Sequence, residues 1–231
     1  LRGKRIGIPE WAQTASIYTR GWLVHQIGIP LQEIEWVQGG VNGAGRKEKV
    51  KLNIPDGVSY TPRQDKSLTD MLFDGEIDCI MSAHPPTPVE EGKDTIVHLY
   101  PNYREVEEQY YRDTGIFPIM HVIAMRGDFF RENRWVATNL YKAFEEAKNR
   151  ALFRATEMTA TRMPFAWCYE AAQKAKDLFG DDFFPYGIEK NRTTLEAFLQ
   201  YGFEQGVCQR KLEVEELFPE EVTKVLTEFH V

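Results

Sequence analysis

Lys4-Arg5-Ile6-Gly7-Ile8-Pro9 carries two isoleucines two residues apart and ends in a proline. That is the period of a short strand with one apolar face. A loop over residues 10–14 follows, then a helix to about residue 27. Thr14 has the side chain to cap this helix, and Gly28 is placed to end it. Residues 34–37 read as a second short strand. Ser67-Leu68-Thr69-Asp70 is a capping-box variant, with Asp in place of Glu at the third helical position. It opens a helix ending near Asp74, with Gly75 as its stop. Residues 77–81, Ile-Asp-Cys-Ile-Met, then read as a buried strand. Strand, helix, strand, helix, strand at this spacing predicts an α/β sheet with parallel crossovers.

Further along, residues 83–88 hold three prolines and read as a loop. Residues 96–99 are expected to form another strand. Asn102 is placed to cap a helix to residue 113, with Gly115 as its stop, and residues 119–125 read as a strand. After Asp128 the pattern is helical, over residues 135–152, 163–179, 193–205 and 214–230. The expected division is therefore an α/β ligand-binding lobe over residues 1–118. Residues 119–231 would form a crossover strand and a mainly helical part.

The composition is that of an ordinary globular protein, with 42% apolar and 27% charged residues among 231. A net charge of -7 argues against nucleic acid as a partner. The densest basic stretch, Arg46-Lys47-Glu48-Lys49, holds a carboxylate and reads as a solvated face. No apolar stretch approaches the ~20 residues that span a bilayer. Cys79, Cys168 and Cys208 form no CxxC pair, and Cys79 reads as a core residue. Reduced thiols fit a cytoplasmic location. Leu1-Arg2-Gly3-Lys4 reads like the middle of a protein, so preceding residues are expected to be missing. A signal peptide among them would make the location periplasmic. The five histidines show no HxxxH or HxH spacing, which gives a local metal cluster no support. A metal site assembled from distant residues stays open. Glycines 39, 40, 43 and 45 do not fit GxGxxG, so a dinucleotide site is rejected.

Several stretches carry a family pattern. They are Gly7-Ile8-Pro9-Glu10 with Thr14-Ala15, Trp36 with Gly39-Gly40, and residues 68–78 (LTDMLFDGEID). The most specific is Thr114-Gly115-Ile116-Phe117-Pro118-Ile119-Met120-His121. Trp135-Val136-Ala137 and Leu140-Tyr141-Lys142-Ala143-Phe144 continue it. Together they resemble the 4,5-dihydroxyphthalate decarboxylases, most strongly from residue 3 to about 150. The resemblance implies a type II periplasmic-binding-protein-like α/β fold, with two lobes joined by crossing strands and a ligand in the cleft. Members are longer at the N-terminus, so the N-terminal part of one lobe is expected to be missing. The implied reaction removes carbon dioxide from an aromatic dicarboxylate such as 4,5-dihydroxyphthalate to give 3,4-dihydroxybenzoate. No organic cofactor is expected, and a divalent metal is left open. The expected partner is a small aromatic carboxylate, with neither nucleic acid nor membrane, and a homo-oligomer remains open.

Ligands of open α/β sheets collect at the carboxyl ends of strands. The loops over residues 10–14, 38–40 and 82–84 qualify. The first runs into a helix N-terminus, whose free N–H groups and dipole suit a carboxylate. Thr14 adds a hydroxyl there, or is only a cap. Trp11 either stacks on an aromatic ring or is core. With Trp11 and Thr14, the substrate-binding candidates are Gln13, Gly39, Gly40, Ser82 and Arg104. Arg46, Arg104 and Arg126 all suit a second carboxylate, and sequence does not choose among them. His121, on a predicted strand beside Pro118, is the first candidate for general acid or base, against a core reading. His84, in a proline-bounded loop, is the second. Glu10 is a proton carrier or a partner for a phenolic hydroxyl, unless it only stabilises a helix start. His25, His98 and His230 have no supporting context. The tripeptides Arg126-Gly127-Asp128 and Asn191-Arg192-Thr193 are too short to carry a function. Two other readings use the same fold: the substrate-binding protein of an ABC transporter for a small organic anion, and the effector-binding part of a transcription regulator. The stretch around His121 favours the enzyme.

Overall fold

The computed structural model describes residues 1–160 and 162–223. Four strands, β1 (Arg5–Ile8), β2 (Glu35–Gln38), β3 (Ser59–Pro62) and β4 (Cys79–Ile80), form one parallel sheet in the order β3-β2-β1-β4. Helix α1 (Thr14–His25) connects β1 to β2, and α2 (Leu68–Phe73) connects β3 to β4. The chain is therefore an α/β protein with parallel crossovers.

Alternation along β1 explains why both faces are covered. Ile6 and Ile8 are fully buried in a cluster with Trp11, Leu23, Ile34 and Trp36, and Ile6 lies in register with Trp36. Gly7 faces the other way. A methyl group there would come within 2.7 Å of Ile77 and 2.9 Å of Leu68, side chains of the second cluster with Val41 and Met71. The Leu68 layer closes directly onto the strand here, so a larger residue would have to push the Leu68 and Ile77 methyl groups aside.

The helix ends agree with the sequence in place but differ in chemistry. Thr14 is the first residue of α1 rather than its cap; Gln13 takes the cap position with extended backbone and no side-chain cap bond. Ser67 does cap α2, its Oγ accepting from the Asp70 N–H at 3.1 Å. The Asp70 carboxylate takes the Ser67 hydroxyl instead of reaching the backbone, so the box stays half-closed.

Two expected strands do not form. Residues 96–99 and 119–125 have no regular structure, with Val97 78% and Ile123 70% exposed. Their apolar alternation meets no neighbouring strand among the described residues, and a strand is stable only as part of a ladder. Conversely, β3 was not expected, because Ser59–Pro62 lacks an apolar stripe. It is the edge strand, where a proline is tolerated.

Contacts divide the chain into two units. The first comprises Leu1–Val106, Pro118–Met120 and Glu196–Leu212; the second comprises Glu107–Phe117, His121–Leu195 and the chain from Glu213. The sheet belongs to the first. A short helix α3 (Thr87–Glu90) precedes α4 (Tyr103–Thr114), which the sequence anticipates and which Gly115 ends at φ +67°.

The second unit holds α5 (Gly127–Glu132), α6 (Trp135–Thr156), α7 (Cys168–Phe179), and the start of α8 (Ile188–Glu204). Within it Tyr111 and Phe117 pack on Phe179, with ring centroids 4.4 and 5.0 Å away. The Lys148 ammonium is buried between Glu145 (2.7 Å) and Asp182 (2.9 Å). The helix expected from residue 163 starts only at Cys168, after Trp167 in the left-handed region. The helix expected over residues 214–230 is broken before Pro219 into a 3-10 turn (Val214–Leu217) and α9 (Glu220–Thr223). Residues 224–231, with His230, lie outside the described residues.

One ion pair ties β1 to the turn before β4. The Arg5 guanidinium lies 3.0 and 3.1 Å from the two Asp78 oxygens, and the Arg5 N–H donates to the same carboxylate at 2.9 Å. These contacts hold the Asp78 carboxyl down at about 2, against an ordinary 3.8. A depressed folded-state value gives stability that is present above pH ~4 and is lost as pH falls towards ~2. Asp78→Asn should remove this acid-sensitive part, so urea denaturation curves between those pH values will shift less for the variant than for the parent.

Candidate functional site

The loop after β1 enters α1 at the carboxyl ends of the central strands. Its backbone already holds a carboxylate. The Trp11 N–H donates to Glu48 Oε2 at 2.6 Å and the Ala12 N–H to the same oxygen at 3.4 Å. Glu10, 7% exposed, accepts from Arg46 Nε at 2.8 Å and faces Lys49 Nζ at 3.2 Å. Gln38, the last residue of β2, donates through Nε2 to the carbonyls of Pro9 (2.7 Å) and Arg46 (3.0 Å). The basic stretch 46–49 is thus no simple solvated face. Its arginine, one lysine and its glutamate all reach the residue 9–12 loop.

Beneath this loop lies a buried polar cluster. Trp11 is fully buried and its Nε1 donates to the Gln205 carbonyl at 2.7 Å. The Arg20 guanidinium sits 3.9 Å from the Trp11 ring centroid, while Trp36 and Tyr60 meet that ring edge-on at 5.6 and 5.4 Å. Arg20 Nε donates to Gln205 Oε1 at 2.9 Å and Nη2 donates to the Trp11 carbonyl. Gln205 Nε2 in turn donates to the Ile17 carbonyl at 2.9 Å. Burial pushes the Arg20 guanidinium down to about 9 and the Tyr60 phenol up to about 12. Three buried atoms, Arg20 Nη1, Gln38 Oε1 and Tyr60 Oη, have no hydrogen-bond partner among the described residues. Orphans of this kind cost about 1–3 kcal/mol each, unless water or a ligand completes them.

The expected site residues fall as follows. Glu10, Trp11, Gln13 and Thr14 form the loop and the start of α1, and Gln13 Oε1 is a further buried atom without a partner. Gly39 and Gly40 are buried just after β2. A methyl group on Gly40 would lie 2.0 Å from the Gly43 carbonyl, so this turn closes on itself. Ser82 and His84 follow β4, with Ser82 Oγ accepting from the His84 N–H at 3.2 Å and His84 exposed. Asn42 joins the loops after β2 and β4, donating to the Pro85 carbonyl (3.1 Å) and accepting from the Thr87 N–H (2.9 Å). The topology therefore brings these three loops to one end of neighbouring strands. Arg104 is exposed on α4, in the first unit. His121 is exposed in an irregular segment, not on a strand, and belongs to the second unit.

Sequence reasoning missed Arg20, Glu48 and Gln205. A signal existed for Arg20, a charge three residues from both Ile17 and Leu23 on the apolar stripe of α1. Glu48 stood out only as one carboxylate among cations, and Gln205 had no local signal. Among the described residues, no three His, Cys, Asp or Glu side chains are placed to hold a metal ion. None of the described helices is long and apolar enough to cross a membrane.

No family model matches the chain. A curated protein of Comamonas testosteroni named 4,5-dihydroxyphthalate decarboxylase is 32% identical over 219 residues, which cover 94% of this chain and 66% of the relative. A protein of the same name from Pseudomonas putida is 32% identical over 113 residues, which cover 48% of this chain and 44% of the relative. The chain thus spans just under two thirds of the length of the first relative and less than half of the second.

Arg20 is what holds the residue 9–12 loop from below. Arg20→Met leaves Gln205 Oε1 and the Trp11 carbonyl short of a donor and should cost about 2–5 kcal/mol of stability. Arg20→Lys should lose less, keeping a cation but not the two-pronged contact. Urea denaturation followed by tryptophan fluorescence reads both.

Proposed function

We propose that this chain, which belongs to the 4,5-dihydroxyphthalate decarboxylase family, removes carbon dioxide from a hydroxylated aromatic dicarboxylate such as 4,5-dihydroxyphthalate to give 3,4-dihydroxybenzoate. The finer fold reading is part of the proposal: a type II periplasmic-binding-protein-like architecture of two lobes around a ligand cleft.

The observation that carries this reading is the carboxylate already seated on the backbone N–H groups of Trp11 and Ala12. The loop has the donors and the helix-start polarity that an aromatic acid needs. In our reading the carboxylate that stays on the product is held there. The arginine for the second carboxylate is then Arg46 rather than Arg104, since Arg46 already reaches this loop.

The chemistry follows from the substrate. A hydroxyl para to the leaving carboxylate pushes electron density onto the ring carbon that bears it. A general acid protonates that carbon while the hydroxyl proton passes to a base; carbon dioxide then leaves, its bonding pair restores the aromatic ring and the phenolate, and the base returns its proton to the phenolate oxygen. His121 is the first candidate for the acid and His84 the second. Glu10 is the candidate partner for the hydroxyl, being the carboxylate beside the carboxylate-holding N–H groups. The hydroxyl supplies the electrons, so the scheme itself calls for no organic cofactor.

The test is to incubate the full chain with 4,5-dihydroxyphthalate and follow carbon dioxide and 3,4-dihydroxybenzoate by mass spectrometry. Turnover should fall by about 10²–10⁴-fold in whichever of His121→Ala and His84→Ala removes the acid. Binding of the diacid without release of carbon dioxide, with added divalent metal as well as without, would overturn the decarboxylase reading in favour of a binding protein.

A further inference from the structure

Residues 46–53 form a strap across the residue 9–12 loop, and its attachments are unusual in kind. Between Val41 and Leu52 there is no helix or strand. At one end the chain leaves through the tight Gly40–Gly43 turn and Gly45, which has φ +90°. At the other end the Asn53 N–H donates to the Gly206 carbonyl at 2.8 Å. Between these anchors the strap is held mainly by charge. Glu48 sits on the Trp11 and Ala12 N–H groups, while Arg46 and Lys49 both face the single carboxylate of Glu10.

We propose that Glu48 is a built-in occupant of the ligand's carboxylate position, and that the acid which binds this site displaces the Glu48 carboxylate from the Trp11 and Ala12 N–H groups while Arg46 and Lys49 stay beside the loop. The inference rests on the reading of the residue 9–12 loop as the seat of the retained carboxylate. Three observations support the exchange. Glu48 Oε2 makes the contacts a free carboxylate would make, on the backbone N–H groups of Trp11 and Ala12, while Oε1 accepts only from the neighbouring Lys49 N–H at 3.1 Å. The cations outnumber their partner, since Arg46 and Lys49 share Glu10. One positive charge is therefore available to a second acidic group of the incoming ligand. Finally, Gln38 is 1% exposed and holds both the loop and the strap through Nε2, yet its Oε1 has no partner among the described residues. That acceptor waits for a donor such as a phenolic hydroxyl. A ligand with two carboxylates and a hydroxyl on one rigid ring matches all three.

Glu48 is then a specificity-determining residue. It competes with every ligand for the Trp11 and Ala12 donors. A monoacid only exchanges one carboxylate for another, whereas a diacid also recruits the surplus cation.

Phthalate, which lacks the hydroxyls and does not turn over in this scheme, is the probe. Its dissociation constant is measured by calorimetry for the parent chain, Glu48→Ala and Glu48→Gln. With the competitor gone, Glu48→Ala should bind phthalate about tenfold more tightly, as expected when a state populated at about one part in ten becomes the only one. Glu48→Gln, which keeps the shape without the charge, should gain less. In the parent chain, phthalate should speed hydrogen exchange over residues 47–49, the part of the strap that the Glu48 contacts hold down. Unchanged or weaker phthalate binding in both variants, with their thermal melts intact, would overturn the proposal; so would slower exchange over the strap. Should Glu48→Ala not fold, Glu48→Gln and the exchange measurement decide alone. Carbon dioxide release from 4,5-dihydroxyphthalate separates the two readings. Turnover with no tightening sinks the strap and keeps the decarboxylase. Tightening with no turnover keeps the strap and sinks the decarboxylase.

Discussion

A guanidinium buried against an indole holds the first unit's candidate site in place. Arg20 is fully buried, and water is lost from a charge that ordinarily keeps it. The loss is offset in three ways at once: the Trp11 ring lies under the cation, the Trp11 carbonyl accepts from it, and Gln205 accepts beside it. Two of these contacts reach Trp11, nine residues back, and the third reaches Gln205, 185 residues on. Residue 205 is brought to residue 11, and both are brought to α1. Loops are ordinarily the soft parts of an α/β sheet. The residue 9–12 loop is pinned from beneath through its own carbonyl and its own side chain, so its N–H groups point in a fixed direction.

The sheet supplies the other half of the geometry. β1 carries Ile6 and Ile8 on one side and Gly7 on the other, and that asymmetry lets α1 and the Leu68 layer approach from opposite faces. With β2 and β4 flanking β1 in parallel, three connecting loops emerge at the same end. This is the general reason ligand sites of such sheets lie there. The polar orphans Arg20 Nη1, Gln38 Oε1 and Tyr60 Oη belong to the structure immediately under those loops. Left incomplete they would cost stability, and water or a bound ligand completes such groups.

How far the sequence was legible follows from what each feature depends on. β1, α1, β2, α2 and β4 depend on local periodicity and on end signals such as Ser67, and they are where the pattern places them. The segments 96–99 and 119–125 have the same local pattern but depend on a partner strand, which no window of sequence contains. β3 shows the converse: Ser59–Pro62 has a poor local pattern and becomes a strand because β2 offers an edge. The site divides in the same way. Glu10, Trp11, Gln13 and Thr14 were reachable because a loop after a strand and before a helix is a local motif. Glu48 was read as solvent-facing because its role depends on Trp11 and Ala12, 37 and 36 positions away. Gln205, 185 positions from Arg20, is further beyond the reach of any local rule.

A rigid aromatic diacid gives these details one consequence. Once its retained carboxylate is seated on two fixed N–H groups, the ring has few remaining freedoms. The positions of the leaving carboxylate and of the para hydroxyl are then set by covalent geometry. On the proposed reading, the orientation a decarboxylation needs is supplied before any acid acts, and such positioning supplies much of a catalytic effect. The same rigidity makes an internal competitor useful. A flexible monoacid gains little by displacing Glu48, because it exchanges like for like. On the same reading, a diacid of fixed shape displaces it and places its second charge near Arg46 and Lys49. Selection among aromatic acids can then rest on what the ligand does after the first carboxylate is seated, and not on the strength of that first contact.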